Sequence, residues 1–400
     1  MRRKLSSWHM LPVALLVTGL LAPAAAAQLA AQPPDDTSSA ALAADLNETV
    51  VQQPVTVKLL EGGTRTGNMI VTHFRPAGAG PFPVAIMNHG RAGSAAERAQ
   101  PGRYRALRVV RYFVRRGFAV VVPTRLGYGA TGTEPDTEFS GRDCAARIFG
   151  PMAEAAAHQI RTAIEYAVKQ PWADPKRVVI MGQSVGGLAT VVANAKAIPG
   201  VVGAINSAGG SGGNPRQSAG SPCSPDRIGR IYASAGQAAK TPMLWVYSAN
   251  DKYWGASVPR TWHKSYTSGG GKAELVMLPA NGEDGHKQLE HLSLWRPHTD
   301  RFLASLGFPI PKSEGAPPAT SFAPLADASR IPWVNDEVRA DGYPKFLALD
   351  IPRAFVIAPT GAWSYQSGEG ALQKALANCA QRAKQPCRPY AVDDAVVWVP

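Results

Sequence analysis

A mostly parallel β-sheet covered by helices on both faces is the fold class this sequence predicts, on three observations. Short, largely apolar runs recur at 83–87, 118–123, 178–181, 201–205, 243–247 and 274–278, the kind of run needed by strands with both faces covered. Between them lie stretches with apolar residues three and four apart, as at 152–168 and 291–305, the period of helices packed on such a sheet. The run Val178-Val179-Ile180-Met181-Gly182-Gln183-Ser184-Val185-Gly186-Gly187 reads as a buried strand turning sharply into a helix.

In chain order, Arg2, Arg3 and Lys4 precede an apolar run over 11–21 that ends in small residues. That pattern describes a signal peptide with cleavage near Ala27, an uncleaved anchor being the competing reading. Residues 28–47, rich in Ala, Asp and Ser, are expected to form a mobile segment. Runs at 55–59 and 68–74 flank Gly62-Gly63 and predict a hairpin at a sheet edge. The strand over 83–87 leads into Asn88-His89-Gly90-Arg91-Ala92-Gly93. A helix over 103–116, capped by Gly117, and a strand over 118–123 follow. Residues 124–150 lack periodicity and predict a long loop, of the sort that is functional or pinned. A helix over 152–168, the Ser184 strand, three further strands and a helix over 291–305 complete a domain spanning 48–308. The Pro-, Ala- and Ser-rich stretch 309–333 reads as a linker. A small α+β unit at 334–400 follows, with a strand over 354–357, a helix over 371–382 and a last strand over 392–399. Its core is too small to stand without a cross-link.

Of the 400 residues, 45% are hydrophobic and 18% charged, which excludes wholesale disorder. The net charge of +13 falls to +10 once Arg2, Arg3 and Lys4 are removed. The remaining cations are scattered, and the densest group, Arg103 to Arg116, has helical spacing and is expected to form a solvated face. Nucleic acid is therefore not an expected partner. Beyond the leader no window is apolar enough to cross a bilayer. Export permits disulfides, and the four cysteines are an even number. Cys379 and Cys387, close together in the tail, are paired, leaving Cys144 with Cys223 to tie two loops of the main domain. Metal ligation is the rival reading; no Cys-x-x-Cys spacing supports it, and no metal is expected.

The glycines around Ser184 carry the functional reading. A hydroxyl projects as a nucleophile from the apex of a tight strand-to-helix turn, where there is little room for more than glycine two residues to either side. In a parallel sheet, functional groups gather at the carboxyl ends of the strands. Asp251 follows the 243–248 strand and His286 follows the 274–278 strand, so the order Ser184, Asp251, His286 supplies nucleophile, acid and base. Asp284 is the nearest rival to Asp251. Val185 N–H, at the start of the helix, and Arg91 N–H, in the loop opened by Gly90 and Gly93, are the expected oxyanion donors. Tyr128, Tyr253 and Trp254, with Trp262 nearby, are candidate walls of an aromatic substrate pocket, or else core.

Taken together, His89-Gly90, Gly182-Gln183-Ser184-Val185-Gly186-Gly187, Asn250-Asp251 and Gly285-His286 resemble the dienelactone hydrolase-like branch of the α/β-hydrolase superfamily over about residues 45–308. The resemblance implies an α/β-hydrolase fold with an eight-stranded sheet, no cofactor, and ester hydrolysis through an acyl-enzyme on Ser184. True dienelactone hydrolases use cysteine at that position, so Ser184 favours a general carboxylic-ester hydrolase acting on a small-molecule ester, secreted or periplasmic. A peptidase or amidase of the prolyl-oligopeptidase-like type, and a binding protein on a hydrolase scaffold, are the alternatives. The tail, with Cys379 and Cys387, resembles a small accessory module of exported bacterial proteins.

Overall fold

The computed structural model describes residues 46–400 except 93, 310–312, 314, 350 and 369. The signal peptide, all but the end of the 28–47 segment, and Gly93 lie outside the described residues.

Alternating apolar residues build one sheet of eight strands in the order β1-β2-β4-β3-β5-β6-β7-β8. The strands are β1 Thr49–Lys58, β2 Thr64–Phe74, β3 Phe82–Asn88, β4 Ala119–Thr124, β5 Ala173–Gln183, β6 Val201–Ser207, β7 Met243–Ser248 and β8 Ala273–Leu278. The expected hairpin is β1–β2, antiparallel and at the edge. β2 also runs antiparallel to β4, and every pairing from β4 through β8 is parallel.

Strand alternation sends neighbouring side chains to opposite faces. Val84, Ile86, Val178, Ile180, Trp245 and Tyr247 pack against helices α3 Gly150–Ala167, α4 Val185–Asn194, α5 Pro225–Ala238 and α6 Ser257–Ser268. Ala85, Met87, Val179, Met181, Leu244 and Val246 face α2 Leu107–Val114 and α7 Leu292–Ser305, with a short α1, Ala95–Ala99, ahead of α2. Each such side chain contributes about 1.5–3 kcal/mol on full burial.

The helix expected over 103–116 is shorter than its charge pattern suggested, and only part of its basic group is solvated: Arg108 and Arg115 are exposed, whereas Arg103, Arg105 and Arg116 are drawn to acids. Arg103 and Arg105 precede α2 and bind the carboxylate of Glu48. Arg116 is buried against Asp300 of α7 at 2.7 Å, with the Tyr112 hydroxyl donating to the same carboxylate at 2.7 Å. Charge periodicity gives helical spacing alone; α7, far along the chain, supplies the acid.

The C-terminal unit has a four-stranded antiparallel sheet, β10-β9-β11-β12, made of β9 Arg353–Ile357, β10 Trp363–Ser367, β11 Arg388–Val392 and β12 Ala395–Val396. Helix α9, Ala371–Ala383, covers it, and α8, Tyr343–Ala348, follows a π-turn at Val338–Gly342. The single strand expected over 392–399 is instead the end of β11, a turn at Asp393-Asp394 and the two-residue β12, because Asp393 takes a positive φ of 54° there. The Pro-rich stretch before it runs along this sheet: Thr320 N–H donates to the Val396 carbonyl, and Ile331 enters the core. Arg296 of α7 reaches into the unit, donating to Asp394 and the Leu349 carbonyl at 2.6 Å each. Both expected disulfides are present, Cys144–Cys223 and Cys379–Cys387, with Cα separations of 5.1 and 6.0 Å. No helix among the described residues is long and apolar enough to cross a membrane.

Candidate active site

β5 turns sharply into α4 at the carboxyl edge of the sheet. Ser184 sits there with φ 55° and ψ −124°, a conformation that costs a non-glycine residue about 1–3 kcal/mol and persists only where its surroundings impose it. Those surroundings are explicit. Ser184 N–H donates to the Ser207 carbonyl at 3.0 Å, and the Ser184 carbonyl accepts from Leu188 and Gly210. A Cβ on Gly182 would run into Gly186 and Thr190, and one on Gly186 into the Asn88 and His89 carbonyls. Only bare backbone lets β3, β5 and α4 approach this closely. Asn88 then ties β3 to the elbow through Met181 O at 2.9 Å and Thr190 Oγ1 at 3.3 Å.

The loop after β3 lies against the serine: a Cβ on Gly90 would sit 3.2 Å from that of Ser184. A buried cation holds the loop in place. The Arg125 guanidinium donates to the His89 carbonyl at 2.8 Å and the Gly90 carbonyl at 3.3 Å, and is neutralised by Glu138, both side chains fully buried. His89 Nε2 accepts from Arg125 N–H at 3.2 Å, so its Nδ1 carries the proton and donates to Gly90 O at 2.7 Å. Burial, and then the charge of Arg125, press its proton affinity well below the usual histidine range. A neutral imidazole stacked on Tyr104 at 3.7 Å is thus part of the scaffold.

Asp251 and His286 come together from adjacent strand ends. His286 Nδ1 lies 2.9 Å from Asp251 Oδ2, the carboxylate fully buried and the ring 10% exposed. The other carboxylate oxygen accepts from Tyr253 N–H at 2.7 Å and Trp254 N–H at 3.1 Å, so its orientation is fixed. Asp284 does something else: its Oδ1 accepts from Lys252 N–H and His286 N–H, capping the turn Gly285–Glu290. Two glutamines that sequence reasoning passed over brace the pair. Gln183, next to the serine, donates to the His286 carbonyl at 2.9 Å. Gln288 donates to Ser207 Oγ at 2.8 Å and Val246 O at 2.7 Å, while Ser248 donates to it at 2.8 Å. Their nearness in sequence to Ser184 and His286 was the available signal. The Ser184 hydroxyl makes no hydrogen bond among the described residues; serine–base contacts are often loose in unliganded sites and tighten around substrate.

Ser184 opens into a cavity of about 780 Å³, lined also by Val185, Arg91, Tyr253 and Trp254. Tyr253 stacks on the His286 ring at 4.0 Å, and Trp254 meets it edge-on at 5.5 Å. Tyr128 is not brought to the cavity. It is fully buried, donates to Glu138 at 2.6 Å and packs on His89. Trp262 is likewise core, packed on Trp254 and Tyr232. Among the described residues no cluster of His, Cys, Asp or Glu could hold a metal ion.

An eight-stranded sheet in this order, with a serine at the turn from β5 into α4, is the α/β-hydrolase fold, and the chain has that fold. Residues 108–199, from α2 to just past α4, match the Prolyl oligopeptidase family. Among solved structures the chain is similar to a Klebsiella pneumoniae protein assigned as a dienelactone hydrolase (17% identity, TM-score 0.42, 65% of this chain and 99% of that one). It is also similar to an acetyl xylan esterase from Paenibacillus sp. R4 (15%, 0.42, 67% and 91%). An acylaminoacyl peptidase from Pyrococcus horikoshii matches at 13% identity and TM-score 0.42, over 63% of this chain and 42% of that one. Among curated proteins none matches the chain.

Proposed function

We propose that this chain is an exported serine hydrolase that cleaves carboxylic esters through Ser184, His286 and Asp251. The observation that carries the reading is the buried Asp251–His286 pair, 2.9 Å apart, held by Gln183 beside a serine at φ 55°. His286 Nε2, on the side of the ring away from Asp251, takes the Ser184 proton as the hydroxyl attacks the ester carbonyl. Asp251 stabilises the imidazolium and keeps Nδ1 protonated. Val185 N–H, with α4 behind it, and Arg91 N–H receive the developing oxyanion. His286 returns the proton to the leaving alcohol, then activates water to resolve the acyl-enzyme. Tyr253 and Trp254 wall the site. The two disulfides suit an oxidising destination, secreted or periplasmic.

Ser184→Ala is expected to abolish both labelling by a fluorophosphonate probe and turnover of short p-nitrophenyl esters. Undiminished hydrolysis would end the reading. Amide cleavage is the second reading, favoured by the family matched over 108–199; matched ester and anilide substrates separate the two. Labelling of Ser184 would also exclude a purely binding role.

A further inference from the structure

Four guanidinium side chains, of Arg91, Arg142, Arg147 and Arg216, line the cavity that holds Ser184, against one carboxylate, Glu97. Glu97 accepts from Ser94 N–H in the capping box of α1, and Arg91 is neutralised by Asp136 at 2.5 Å. Arg142, Arg147 and Arg216 have no acidic partner among the described residues. Arg147 is the most constrained of the three. Its side chain is partly buried, and its Nε is shut off from solvent without a hydrogen-bond acceptor. Burial first, and then the nearby charge of Arg91, lower its hold on its proton. A partly buried cation facing another cation is unfavourable unless an anion joins them.

A disulfide ties together the two segments that carry Arg142, Arg147 and Arg216. Cys144 lies between Arg142 and Arg147, and its disulfide partner Cys223 ends the segment that carries Arg216. Both cysteines line the cavity themselves, and Cys223 N–H donates to the Gly212 carbonyl at 2.9 Å. A rim cross-linked in this way lowers the loop-ordering part of the cost of binding.

We propose that the substrate carries an anionic group beside the scissile ester, and that Arg147, supported by Arg142 and Arg216, receives that group. The proposal rests on Ser184 being the nucleophile, and names the substrate class for that site: acidic esters over neutral ones of the same shape.

Binding and chemistry are tested apart. In Ser184→Ala protein, titration calorimetry compares monomethyl glutarate, an anion at neutral pH, with neutral dimethyl glutarate. At least about tenfold tighter binding of the monoanion is expected, the equivalent of about 1.4 kcal/mol. The preference should shrink as sodium chloride is raised, and should be lost in Ser184→Ala/Arg147→Met and reduced in Ser184→Ala/Arg216→Gln. Equal affinities, no binding of the monoanion, or a preference that survives Arg147→Met would overturn the proposal. Because this arm needs no turnover, a failed fluorophosphonate label on the wild-type chain would count against the nucleophile alone. In turnover, the kcat/KM ratio of p-nitrophenyl hemisuccinate to p-nitrophenyl butyrate, and of 4-carboxyphenyl butyrate to phenyl butyrate, reports on which side of the ester the anion sits. At least one ratio should exceed about ten and fall in Arg147→Met; both ratios near one would refute the specificity.

Discussion

Two aspartates sit near His286, and their hydrogen bonds assign them different work. Asp251 reaches the ring nitrogen, while Asp284 reaches only backbone amides. Asp251→Asn keeps the shape but places an amide against Nδ1, which favours the wrong tautomer. A loss of about 10³–10⁴ in kcat is expected with the fold intact. Asp284→Asn removes a charged cap, and a stability change of about 1 kcal/mol is expected with kcat lowered less than tenfold. Steady-state kinetics and thermal melts of the two variants check both statements. Equal losses of kcat would place the acid wrongly.

At the level of elements, the loop between β4 and α3 is more than a connector. Arg125 and Glu138 are fully buried together, and Arg125 holds the carbonyls of the loop that faces Ser184. Glu138→Ala leaves that cation without its counter-charge. Such a deletion should cost about 3–5 kcal/mol and, by freeing His89-Gly90, lower kcat more than it raises KM. Denaturant unfolding and kinetics on the same preparation read both effects. The sequence announced this loop only by its length and its cysteine. Its strands were legible because each is a short apolar run, and the elbow because glycines crowd one serine. α5 and α6 were not read, since Pro225–Ala238 and Ser257–Ser268 carry few apolar residues. The position of Tyr128 in the loop leaves pocket wall and core equally open, and the acid that turns it inward, Glu138, lies ten residues on. The cationic rim was invisible for a related reason: Arg91, the pair Arg142 and Arg147, and Arg216 come from three separate stretches of the chain, and no periodicity links them.

For the molecule as a whole, acid should be destabilising before carboxylates titrate. His73 is pushed down to about 4 by burial and by Arg75, and its Nδ1 is buried without a partner; His89 is lowered too. The unfolded chain takes up these protons near pH 6.5 and the folded one only near 4 or below. The unfolded state therefore binds more protons in that window, and stability falls as pH drops from 6.5 towards 4. Urea midpoints measured from pH 7.5 to 4.5 should decline, and His73→Phe should flatten the decline. An unchanged slope in His73→Phe would contradict the assignment.

Besides the bonds within single loops, three braces around the proposed triad run across the sheet edge. Gln183 joins the β5 end to the His286 turn, Gln288 joins that turn to β6 and β7, and Asn250 joins the β7 exit to the Asn281 loop. Movement of the His286 turn would break bonds to the ends of β5, β6 and β7 together. Heat or denaturant should therefore extinguish the site and dismantle the sheet in a single cooperative event, leaving no crippled but folded form between.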